Sequence, residues 1–153
     1  MKPPFLITLL VLCFSLCVKA QDNNERLYQA IIKKEHEKVA QLLKDKADAN
    51  YIKTMGPWMK VNMLISAVNS GELASVKTLV DHKADINWKD GFNTTALIYA
   101  ANKGNQDMVL LLLSNGADIQ ASDGQGNTVL SAATESKNTA LVKLIQERLK
   151  TAN

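Results

Sequence analysis

The side chains of this chain that are able to do chemistry are few, and their spacing is wrong for it. His36 and His82 are its two histidines. Neither has a second ligand at metal spacing, because Glu35-His36-Glu37 alternates too fast to share one helical face. Both read as surface histidines. The acids Asp85, Asp90, Asp118 and Asp123 sit in Gly- and Asn-rich connectors, where an Asp side chain bonds the backbone of its own turn. They make a poor general acid and base pair. No phosphate-cradling glycine loop and no Gly-x-Ser-x-Gly nucleophile turn occurs; Gly124 and Gly126 read as turn glycines. The expectation is a protein that is not an enzyme, with no catalytic residue, no metal ligand and no cofactor.

The two thiols, Cys13 and Cys17, lie inside an uncharged run from Phe5 to Val18 that follows Lys2 and precedes Val18-Lys19-Ala20. That pattern reads as a secretory signal peptide over 1–20, cleaved after Ala20. The run is shorter than the roughly 20 apolar residues a spanning helix needs, so no membrane association is expected once the signal is gone. A lipoprotein fits less well, because a bulky Leu precedes each Cys. Cleavage removes both thiols, so the mature chain from Gln21 has no disulfide and no cysteine metal site. Lys2 and Lys19 leave with it, which brings the net charge of +3 down to +1. A nearly neutral chain lacks the concentrated basic face that nucleic acid requires. The expected location is the periplasm, or the outside of the cell.

At 153 residues, with 46% apolar and 22% charged residues, the chain has the size and composition of one globular domain. Its organisation appears on shifting the sequence against itself. Ala84-Asp85-Ile86-Asn87 matches Ala117-Asp118-Ile119-Gln120, and Asp90-Gly91 through Ala96-Leu97 matches Asp123-Gly124 through Val129-Leu130, both at an offset of 33. Gly71 matches Gly104, and Asn62-Met63-Leu64-Ile65 stands one period before Thr95-Ala96-Leu97-Ile98. Ala47-Asp48-Ala49-Asn50 fits at an offset of 37, so four extra residues separate the first two copies.

Local physics reads each copy as two helices. Asn62, Thr95 and Thr128 are positioned to cap a first helix. Leu64, Ala67 and Val68 recur at helical spacing as Leu97, Ala100 and Ala101. Gly71 and Gly104 suit a left-handed turn. Second helices carry Val76, Leu79 and Val80, then Val109, Leu112 and Leu113, then Val142 and Ile145. One copy has too little core to fold alone, whereas stacked copies bury a continuous one. The end copies carry polar outer residues, Lys33 to Lys38 at one end and Gln146, Glu147, Arg148 and Lys150 at the other, as caps should.

The period and these blocks resemble the ankyrin repeat. The resemblance covers 23–153 and implies an all-α repeat solenoid of four stacked repeats, about 23–53, 57–89, 90–122 and 123–153, within a domain over 21–153. Eight helices in four antiparallel pairs are expected, with connectors near 50–61, 86–94 and 119–127. The chain departs from the family pattern in lacking Pro at the helix starts and in carrying Ile65, Ile98 and Ser131 in place of its His. These changes weaken polar bonding between repeats and spare the apolar ladder.

Six aromatics follow the signal, and Tyr51, Trp58, Trp88 and Phe92 lie in connectors. In the ankyrin fold, connectors are fingers along one edge of a concave face, and large aromatics supply much of the energy at interfaces. The inserted residues lengthen the first finger, which includes Met59. The resemblance adds the two positions before each turn glycine, Asn69 and Ser70, then Asn102 and Lys103, then Glu135 and Ser136. The expected partner is a protein bound by a monomer through nine of these residues, the four connector aromatics with Met59, Asn69, Ser70, Asn102 and Lys103, and the connector side chains are expected to lie outside the helical core. Small periplasmic ankyrin proteins are similar to this chain, which implies an immunity or inhibitor role. An accessory role toward a periplasmic enzyme such as a catalase, or a self-associating structural protein, is the alternative.

Overall fold

The computed structural model describes residues 22–57 and 59–151. The signal sequence with Cys13, Cys17 and its cleavage site, and also Trp58, lie outside the described residues. Eight helices appear among the described ones: α1 (22–32), α2 (His36–Lys44), α3 (Met63–Ser70), α4 (Leu73–Asp81), α5 (Ala96–Asn102), α6 (Gln106–Ser114), α7 (Val129–Glu135) and α8 (Thr139–Thr151). They form four helix pairs. The long connector holds a hairpin of β1 (Ile52–Thr54) and β2 (Lys60–Asn62), antiparallel with Lys53 opposite Val61. The two later connectors are reduced to single bridges, Lys89 with Thr95 and Ser122 with Thr128.

Capping explains where the inner helices begin. The side chains of Asn62, Thr95 and Thr128 accept from the amides of Ile65, Ile98 and Ser131, three residues on in each case. Among the second helices, Asn105 accepts from Met108 and Asn138 from Leu141. The equivalent Glu72 makes no such cap, and its carboxylate takes the Ser75 hydroxyl instead.

Each pair is closed by a left-handed residue, and the sequence reading found only half of them. Gly71 (φ 79) and Gly104 (φ 66) sit there as expected, but Lys34 (φ 59) and Lys137 (φ 61) take the same position in the first and last pairs. A second left-handed site, after the outer helix, is held by Lys46, Lys83 and Gly116. The turn geometry therefore repeats in every copy, while the residue suited to it does not.

Inner helices stack in the order α3, α5, α7, and outer helices in the order α2, α4, α6. Ala67, Ala100 and Ala133 occupy one repeat position with no exposed surface, and side chains this small let the inner helices approach closely. Leu27, Ile31, Leu64, Leu79, Leu97, Leu112, Leu141 and Ile145 fill the layer between inner and outer rows. Polar links tie the copies together as well. Asn50 donates to the Lys83 carbonyl (3.1 Å) and accepts from the Asp85 amide (2.7 Å). One repeat on, Asn87 donates to the Gly116 carbonyl (3.0 Å) and accepts from the Asp118 amide (2.9 Å). Each Asn thus spans two successive copies with both ends of its amide.

Candidate functional site

The inner face carries two clefts, one at each end of the row of inner helices. The first, of about 300 Å³, lies between α1 and α3 under the first finger and is lined by Tyr28, Ile32, Met55, Val61, Ser66, Asn69 and Ser70. Ile32 and Met55 keep 48% and 46% of their surface exposed, which is high for apolar side chains beside a cleft. The second, of about 240 Å³, lies between α5 and α7 and is lined by Thr94, Ile98, Tyr99, Asn102, Asp123, Asn127, Ala132 and Glu135.

Local bonds hold the first finger over α1. The Lys53 ammonium donates to the Glu25 carboxylate at 2.6 Å and stands 5.5 Å from the centre of the Tyr28 ring. The Tyr28 hydroxyl donates to the Met55 sulfur at 3.4 Å. The hydrogen bond from Lys53 holds the Glu25 carboxyl below its ordinary range, and the Lys53 ammonium is held above its own. At the other cleft the Tyr99 hydroxyl donates to Asp90 at 2.6 Å. Burial, followed by this acceptor, raises the Tyr99 pKa well above its usual value. Asp90 and Asp123 spend their first carboxylate oxygen on turn amides, those of Phe92 and Thr94 and those of Gln125 and Asn127, as the sequence reading expected. The bond from the Asn127 amide to its other oxygen (2.6 Å), with those turn amides, also pulls the Asp123 pKa down.

Eight of the nine residues expected to bind the partner are described, and they fall into three groups. Asn69, Ser70 and Asn102 line the clefts. Asn102 also donates to Glu135, one repeat on, at 3.0 Å. Phe92 and Met59 are exposed on finger tips, at 56% and 45%, and Lys103 is exposed at the end of α5. Tyr51 and Trp88 are a correction, since both are half-buried and pack against the core instead of standing clear of it. The reason is the two-residue alternation of extended chain. Trp88 and Asp90 turn inward while Lys89 between them turns outward; Tyr51 and Lys53 turn inward while Ile52 and Thr54 turn outward. Trp58 lies outside the described residues.

Sequence reasoning missed Tyr28, Ile32, Met55, Val61 and Tyr99. Tyr28 and Ile32 share the apolar spacing of a core helix, so sequence alone reads them as core. Tyr99 was legible: it breaks a run of small residues at the position held by Ser66 and Ala132 in the neighbouring copies.

Stacked helix pairs, hairpin fingers and a cleft-bearing inner face define a repeat protein of the solenoid class. A family model for ankyrin repeats, in three copies, matches residues 64–153, and the chain belongs to the ankyrin-repeat family. The first helix pair lies outside that match. Ankyrin repeats are, in general, modules of protein–protein interaction. Comparison with curated proteins finds no match. Among the described residues no group of three or more His, Cys, Asp or Glu is arranged to hold a metal ion, and no helix is long and apolar enough to cross a membrane.

Proposed function

We propose that this protein is an exported binding module that holds one protein partner against its inner face, between the first finger and the α5–α7 cleft. The observation that carries this reading is the coincidence of exposed apolar side chains with a formed cleft, Ile32 and Met55 beside Tyr28 and Val61. Exposed apolar groups gathered around a concavity favour a partner over solvent. Asn69, Ser70 and Asn102 supply the polar border that interfaces place around such a centre. Export rests on the apolar run Phe5–Val18 and the Val18-Lys19-Ala20 sequence. In its narrower form the proposal is an immunity or inhibitor protein. The catalase-type accessory role differs from it in the identity of the partner alone.

Photo-crosslinking amino acids placed at Asn69 and Asn102, and separately at Lys77 and Lys143 on outer helices, test the reading in the native host. One partner captured from the two inner positions and from neither outer one is the expected outcome. Equal capture from both faces would remove the inner face as the site. Light scattering over a range of concentrations decides the self-association alternative: a mass that stays monomeric excludes it.

A further inference from the structure

The two clefts differ in chemistry, and the difference specifies what fits them. The α1–α3 cleft has no charged side chain in its lining: Tyr28, Ile32, Met55 and Val61 supply apolar surface, with hydroxyls and an amide at its border. The α5–α7 cleft has two carboxylates and no cationic group in its lining. Asp123 is committed to its own turn, with both oxygens bonded to Gln125 and Asn127. Glu135 is not committed in this way. Its side chain is exposed on α7, steadied by the Asn102 amide at 3.0 Å, and a carboxylate that accepts one such bond has lone pairs left for a further donor.

Resting on the inner-face reading above, we propose that the partner presents a polypeptide segment with an aliphatic or aromatic side chain for the α1–α3 cleft and an Arg or Lys for Glu135. The clefts are two inner-helix spacings apart, about 16–20 Å at the usual interhelical distance. An extended segment covers that span in roughly six residues, and a helical one in about twelve. An acidic segment is disfavoured, because it would face the Glu135 carboxylate at one end, while at the other the nearby Lys53 is already paired with Glu25. The unequal clefts also fix polarity, since a segment bound backwards would put its cation against Ile32 and Met55.

Selection of random peptides of about 16 residues, long enough to span both clefts as a helix, against the immobilised protein provides the test. The tightest selected peptide is then titrated by calorimetry into wild type, Glu135→Gln, Ile32→Ala and the outer-face control Lys77→Gln. The expected peptides carry a base and an apolar residue at one of the two spacings. Glu135→Gln and Ile32→Ala each weaken binding by about tenfold, and the control does not. Raising the salt weakens binding to wild type but not to Glu135→Gln. Gln keeps the acceptor for Asn102, so the circular dichroism and urea midpoint of that variant should match wild type. Peptides without a base, or binding that depends on Ile32 but not on Glu135, overturn the two-cleft proposal and leave the inner-face reading standing. A selection that enriches nothing overturns the proposal too. Binding that depends on Lys77 and on neither inner residue overturns both.

Discussion

At the scale of the residue, the left-handed turn position is where the chain carries strain. Lys34 and Lys137 hold φ near +60° where the two middle copies have glycine. A side chain with a Cβ costs about 1 kcal/mol in that region. Lys137→Gly is expected to raise stability by roughly 0.5–1 kcal/mol in urea melts. Gly104→Ala tests the converse, because its new Cβ would stand 3.2 Å from Ser136 in addition to the φ penalty, whereas that of Gly71 would meet nothing within 4 Å. Gly104→Ala should therefore destabilise more than Gly71→Ala, and equal losses would show that only φ matters. The connector aromatics divide in the same way. Trp88→Ala should cost about 2 kcal/mol or more, since a packed aromatic leaves a cavity, while Phe92→Ala on its finger tip should cost less than about 0.5 kcal/mol. Urea melts of both variants check the order, and a larger loss at Phe92 would contradict the burial pattern.

At the scale of the element, the first finger is pinned by Lys53 and Glu25. The Glu25 carboxyl is held below its ordinary value of 4.5, so the folded state binds that proton less tightly than the unfolded chain. Its contribution is fully present above pH 4.5 and is lost as pH falls through the lowered value. The Lys53 ammonium is held above its ordinary value of 10.5, so its contribution is fully present below that pH and fades as pH rises through the raised value. The finger is therefore pinned across the whole neutral range. Glu25→Gln should speed exchange of the Met55 amide, which donates to the Met59 carbonyl at 2.8 Å, by up to about fivefold at pH 7, a small factor because exposed pairs are screened. At matched pH the difference between variant and wild type should vanish in acid. A difference that persists there would assign the pinning to the Tyr28–Met55 contact instead.

At the scale of the whole molecule, stability is expected to be a sum over helix pairs and the interfaces between them. Asn87 contributes two hydrogen bonds to one such interface. Asn87→Ala should cost about 1–2 kcal/mol in urea melts, the usual cost of two partly exposed bonds. Asn87→Asp keeps the acceptor and loses the donor, so its loss should fall in between. Removal of 123–151 would uncover the small-residue face of α5, including Ala101, and the fully buried Leu112. That truncation should aggregate, as light scattering would report. A soluble product with a cooperative melt would show that the third pair closes the stack without the fourth.

What the sequence determined by itself was the period and all that follows from it. The offset of 33 residues requires a stack, and the matched blocks give the caps at Asn62, Thr95 and Thr128 and the turn carboxylates of Asp90 and Asp123. Each of these bonds closes within a few residues of chain, so its partners are adjacent in the sequence. The clefts were not legible, because each joins two stretches that are separate in the chain: Tyr28 and Ile32 of α1 with the stretch from Met55 to Ser70 in one, and Thr94 to Asn102 with Asp123 to Glu135 in the other. The direction of the connector aromatics was not legible either. An extended segment sends alternate side chains to opposite sides, and nothing in the order of residues says which side is the core until the helices beneath it are in place. Stacking alone put Trp88 inward, left Phe92 outward, and brought Asn102 within hydrogen-bond distance of Glu135 one repeat away.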